Sequence, residues 1–135
     1  MKHFSTIFLA VMGVGLIMAG CVKTPQTADI TGSWEVTKVD GVDVPGTVVV
    51  TMNLEEDRVS GSSGCNRYSG GYSMSGNNLT FGPAAMTRMA CPPPGMETEV
   101  RFGRALDEVT RFDLSSGGDL LLFADDNLLI QAARK

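Results

Sequence analysis

The side chains able to do chemistry are few. Cys65 lies in GSSGCNRYSGGY, residues 61–72, a run of glycine, serine, asparagine and tyrosine. A cysteine in such surroundings is a nucleophile, a metal ligand or half of a disulfide. The second candidate, Cys91, follows Thr87-Arg88-Met89-Ala90 and precedes Pro92-Pro93-Pro94. The one histidine is His3, at the extreme amino terminus. Without a histidine in the folded part, neither Ser-His-Asp nor Cys-His catalysis can be assembled, nor the common histidine zinc sites. Gly61-Ser62-Ser63-Gly64 resembles a nucleophile elbow only until position 65, where the pattern needs glycine and finds cysteine. The acidic clusters Glu55-Glu56-Asp57 and Asp125-Asp126-Asn127 lack the alternation and closing glutamate of a calcium loop and are expected at hairpin tips. Met86, Met89 and Met96 flank Cys91; thioethers suit copper(I), but methionine is also a common packing residue, and packing is the expectation here. No catalytic residue, metal or cofactor is assigned from this inventory, and the chain is expected not to be an enzyme.

The compartment decides between the cysteine chemistries. After Lys2 and His3, Phe4 to Gly20 has no charge and only Ser5 and Thr6 as polar side chains, the pattern of an export signal. It ends Met18-Ala19-Gly20-Cys21, similar to a bacterial lipobox whose cysteine is acylated and becomes the first residue of the exported chain. Residues 1–20 are therefore read as a lipoprotein signal peptide. Residues 21–29, with Cys21 and the polar stretch Val22 to Asp29, are a lipidated cysteine and tether, and residues 30–135 are one domain. Val22 after the cysteine points to the outer membrane. The expected location is its periplasmic face, with the membrane as partner through the lipid anchor. The formal charge is −4 with only four lysines and no basic cluster, which disfavours nucleic acid. In an oxidising compartment the remaining even pair, Cys65 and Cys91, favours a disulfide over free thiols or a metal site.

The elements that position these residues are mostly strands. Residues 33–39 alternate, with Trp34, Val36 and Lys38 expected on one side. Residues 47–54 are β-branched and turn at Glu55 into 58–62. The segments 70–74 and 79–81 flank the hairpin signal Ser75-Gly76-Asn77-Asn78. A further short strand is expected within 85–90, and 111–115, 119–124 and 127–133 form a three-stranded meander. Met96 to Thr110 has helical spacing, with Met96, Val100, Gly103, Leu106, Val109 and Phe102 as its apolar stripe and Pro94 at its start. The fold expected is mainly β within the α+β class: a curved antiparallel sheet or partly open small barrel packing one helix. Glu99 falls within the apolar stripe. It is a rim residue reaching water, a buried hydrogen-bond centre or a catalytic acid. As a buried group it needs donors, and the candidates are Asn66, the Gly64–Tyr68 loop, Thr87, Arg88 and the Trp34 indole.

Together these residues resemble the META/HslJ family of bacterial envelope proteins. The resemblance is carried by Gly32-Ser33-Trp34, Gly61, Gly64-Cys65-Asn66-Arg67-Tyr68, Tyr72, Thr87 to Pro92, Glu99, Phe102, Ala105, Leu106 and Asp119 to Leu122, over about residues 30–133. It implies a mostly β domain with one helix and association with envelope stress and, in some members, novobiocin tolerance. It brings no catalytic residue. Trp34, Gly64, Asn66, Thr87 and Glu99 are its structural motif residues, with Cys65 facing Cys91. The function expected is a non-enzymatic envelope lipoprotein acting through protein or cell-wall contacts. The alternative is a barrel-like binder of a small apolar ligand or lipid, with an interior cavity in place of large filling side chains. A third reading, a hydrolase inhibitor, would use the Pro92-Pro93-Pro94 loop.

Overall fold

The computed structural model describes Gly15, Gly20 and residues 28–135. The expected signal peptide apart from those two glycines, the acylated Cys21 and the tether up to residue 27 lie outside the described residues.

Ten strands and one helix follow one another: β1 Gly32–Val39, β2 Val42–Asp43, β3 Thr51–Leu54, β4 Arg58–Ser62, β5 Arg67–Ser75, β6 Asn78–Phe81, β7 Ala85–Met86, α1 Gly95–Glu108, β8 Arg111–Leu114, β9 Leu120–Ala124 and β10 Asn127–Arg134. All pairings are antiparallel. The order β10-β9-β8-β6-β5-β4-β3-β1 closes on itself through β1–β10, with β2 on β1 and β7 on β5. The hydrogen bonding is thus ring-like. It is not a regular barrel, because β6 and β8 share only the Asn78–Arg111 pair. Flanking bonds from Leu79 N to Thr110 O and Phe112 N to Asn77 O, each 3.0 Å, hold that seam. The mainly β class with one helix is therefore as the sequence suggests.

Three local expectations change. In β1 the pairing with β10 slips between Val36 and Lys38. This bulge shifts the alternation by one residue. Val39, not Lys38, joins Trp34 and Val36 in the core, and Lys38 instead meets Asp43 at 3.5 Å. The segment 47–54 becomes regular strand only from Thr51; Val50 makes a lone bridge to Ser63, and Val49 is exposed. In α1 the buried face is Thr98, Glu99, Phe102, Ala105 and Leu106. At about 100° per residue these cover one arc of about 120°. Met96 and Val100 lie outside it, and Val100 is 55% exposed. The helix is seated by Phe102 and Leu106, and the expected stripe was rotated because it gave Met96 and Val100 the same weight.

The interior is filled by large side chains. Trp34, Met52, Leu79, Phe102, Phe112, Leu120, Leu122 and Ile130 are all buried in one cluster. Each contributes about 1.5–3 kcal/mol by leaving water. The helix packs against β1, β6 and β10. The Phe102 ring meets Tyr68 of β5 edge-on, with centroids 5.4 Å apart.

Candidate functional site

The polar centre of the molecule lies where the β4–β5 loop meets the first turns of α1. Period-two alternation along β4 buries Val59 and Gly61 and carries on to Ser63. Gly64 has φ +115°, and a Cβ there would sit 3.0 Å from Gly95 O and 3.4 Å from Glu99 N. Only glycine allows the loop to lie so close to the helix. That approach places the next residues under Glu99, which is 6% exposed.

Glu99 accepts three hydrogen bonds. Oε1 receives the Ser63 hydroxyl at 2.5 Å and the Asn66 backbone N–H at 2.7 Å. Oε2 receives Asn66 Nδ2 at 2.8 Å. Asn66 in turn holds the segment before the helix. Its Nδ2 also donates to Met89 O at 3.1 Å, while its Oδ1 accepts from Met89 N at 2.7 Å and Thr87 Oγ1 at 3.0 Å. One amide thus uses its full donor and acceptor capacity, and only this orientation serves both Met89 groups. Thr87 Oγ1 accepts from Arg67 N at 3.1 Å and ties the segment back to β5. Beside this network Cys65 and Cys91 are joined in a disulfide, with Cα atoms 5.9 Å apart. The bond closes a 26-residue separation. In the chain-entropy account a loop of that length stabilises by about 3.5 kcal/mol.

Burial pushes the Glu99 carboxyl up. The hydrogen bonds from Ser63 and from the Asn66 side chain and backbone, helped by the nearby Cys65 backbone N–H, outweigh it and hold the group below its ordinary value. At neutral pH Glu99 is therefore an ionised acceptor whose oxygens are engaged. Such a carboxylate is poorly suited to give or take a proton. Among the described residues no buried side-chain nitrogen or oxygen lacks a partner.

The site residues read from the sequence divide into two groups. Gly64, Cys65, Asn66, Thr87, Cys91 and Glu99 come together, Thr87 reaching Glu99 through Asn66. Trp34 does not join them. Its indole donates to Ile30 O at 2.9 Å and its ring carries the Arg134 guanidinium 4.2 Å above it. Arg88 is exposed and does not donate to Glu99. Cys21 lies outside the described residues. One participant was not foreseen. Ser63 could have been found by extending the β4 alternation. Tyr68 donates to Thr51 O at 2.8 Å, and burial raises its phenol above the ordinary range. The acidic clusters sit in turns, with Glu55 N bonded to Arg58 O and Asp126 facing Arg111.

Residues 82–90 form an exposed strap across β5 and the helix start. Met86 and Met89 are 38% and 57% exposed, so the packing role expected for them is not what they do. The reason is that β7 is a two-residue edge, and the strap is fastened by its backbone and the Thr87 hydroxyl, which leaves the methionine side chains outside. Of the clefts that open along it, two border α1. One, about 550 Å³, lies between Phe81–Ala84 and the Phe102–Asp107 part of α1. The other, about 650 Å³, is lined by Met86, Thr87, Arg88, Met89 and Met96, with Asn66 and Glu99 also reaching it.

The family model of the META domain matches residues 28–135. Two solved structures are similar. The NMR structure of a protein from Burkholderia xenovorans superposes with a TM-score of 0.63 at 29% identity, covering 77% of this chain and 81% of that one. A second NMR structure gives a TM-score of 0.58 at 29% identity, covering 74% and 86%. No curated protein matches the chain.

Proposed function

The chain belongs to the META domain family, and from that premise we propose a non-enzymatic envelope lipoprotein that supports stress or antibiotic tolerance through protein or cell-wall contacts. Cys21 is its acylated anchor and the periplasmic face of the outer membrane its location. One observation carries the non-enzymatic reading. The most chemically capable buried group, Glu99, is ionised and has both oxygens engaged by Ser63 and Asn66. Among the described residues no second carboxylate or histidine joins this network. The filled interior supports surface contact over a ligand enclosed by the sheet.

The contact surface in this reading is the strap 82–90 with these two clefts. It is continuously exposed, yet held in place by Asn66, the disulfide and β5. A recognition segment of this kind loses little freedom on binding. In living bacterial cells, a photocrosslinking residue at Arg88 should give a discrete protein or cell-wall adduct that increases under envelope stress. The same residue at Met74, on the β5–β6 hairpin, serves as control. Equal adducts from both positions, or none from either, would remove the strap from the account.

A further inference from the structure

We propose that Met86, Met89 and Met96 form a thioether site for a monovalent soft cation, copper(I) being the biological candidate. The proposal does not depend on the contact function above. Three methionines from separate anchored positions line one cleft. Met86 belongs to β7, paired opposite Tyr68. The backbone N–H and C=O of Met89 are both bonded to the Asn66 side chain. Met96 sits in the first turn of α1. Their attachment points are thus fixed, while each side chain keeps the rotatable bonds needed to bring its sulfur inward. Burial does not account for their chemistry: Met89 is 57% exposed, whereas Met52 is fully buried in the core.

Among the described residues the cysteine thiols are withdrawn. Cys65 and Cys91 are bound to each other. Among the described residues no group of three or more His, Cys, Asp or Glu could hold a metal ion. Neutral thioethers select a soft monovalent ion over zinc, calcium or magnesium. Glu99 also lines the cleft, and its buried carboxylate offers opposite charge at a distance. Arg88 also lines it and opposes a cation, but it is exposed and its long stem lets the guanidinium turn into water. Thioethers carry no proton near neutrality, so binding should be the same at mildly acidic pH, unlike a thiolate or imidazole site.

Silver(I) is the probe, because it needs no reductant and leaves the disulfide intact. The chain, purified in detergent from cell membranes with ¹³C-methyl methionine, is titrated at neutral and mildly acidic pH. The expected result is saturable binding of one ion with the methyl signals of Met86, Met89 and Met96 moving together, at both pH values, and those of Met52 and Met74 still. Outer-shell changes already cost metal sites about 10- to 100-fold. Loss of a direct ligand in Met89→Leu should therefore weaken binding by at least about tenfold, and Met74→Leu should not. Met89 is exposed, so its variant tests the site without disturbing the core. The triple Met86→Leu, Met89→Leu, Met96→Leu variant should lose the site, and copper(I) should displace silver from the parent. Absence of binding, equal movement of Met74, or unchanged affinity in Met89→Leu would overturn the proposal.

Discussion

Replacing Glu99 by alanine removes the acceptor of three buried donors, and their alternatives set the size of the loss. The Ser63 hydroxyl can turn to Asn66 O, 2.9 Å away. Asn66 Nδ2 keeps Met89 O at 3.1 Å through one hydrogen, but its other hydrogen loses its acceptor. The Asn66 backbone N–H has no second acceptor, so it is left unsatisfied at about 1–3 kcal/mol. Adding the charge assistance lost at the other two donors gives about 3 kcal/mol, or a fall in Tm of about 12 °C for a domain of this size. Glutamine keeps an oxygen for Ser63 and Asn66 N, but turns an N–H toward Asn66 Nδ2. Its cost should be about half that of alanine. The pH dependence has a definite sign. The carboxyl is held below its ordinary value of 4.5 in the folded state. Between the folded and unfolded values the unfolded chain binds more protons. The stabilisation is therefore present above about pH 4.5 and lost as pH falls through the lowered value, and the gap between parent and Glu99→Gln should narrow there. Thermal unfolding from pH 7 to pH 3 measures both effects. An alanine variant as stable as the parent, or a glutamine variant as damaging as alanine, would refute the reasoning.

Thiol titration of the denatured, unreduced domain should find Cys65 and Cys91 unreactive, and reduction should lower the unfolding free energy by about 3 kcal/mol. Asn66→Asp sets a second carboxylate against Glu99; urea unfolding should show it destabilised at pH 7 and partly restored as one of the pair takes up a proton in acid. Changing Cys21 to Ser should release the protein from membranes or leave it unprocessed, as fractionation and mass spectrometry would report; a processed, membrane-bound species of unchanged mass would contradict the anchor.

The succession of most strands along the chain and the helix were legible because alternation and turn chemistry are local. Ser75 to Asn78 reads as a hairpin wherever it stands, and the last three strands are consecutive. Ring closure between β1 and β10 was not legible, since it joins Trp34 to Arg134 across nearly the whole domain. The bulge that exchanged Lys38 for Val39 leaves no mark in composition. At the site, Glu99 was found because a carboxylate on an apolar helix face demands donors. Asn66 was found as one of several, and its second task, gripping Met89, depends on tertiary placement. The misjudged residues share one cause. Hydrophobic type does not distinguish Val100 and Met89, which the fold exposes, from Phe102 and Met52, which it buries.

The central claim is that the Glu99 centre holds the fold and performs no reaction. Growth under envelope stress of cells carrying only Glu99→Gln tests it most directly, at a temperature where circular dichroism shows the variant folded. The account predicts survival equal to the parent. Loss of survival by a variant that is folded, exported and present at parental level would contradict it and restore Glu99 as a reacting group.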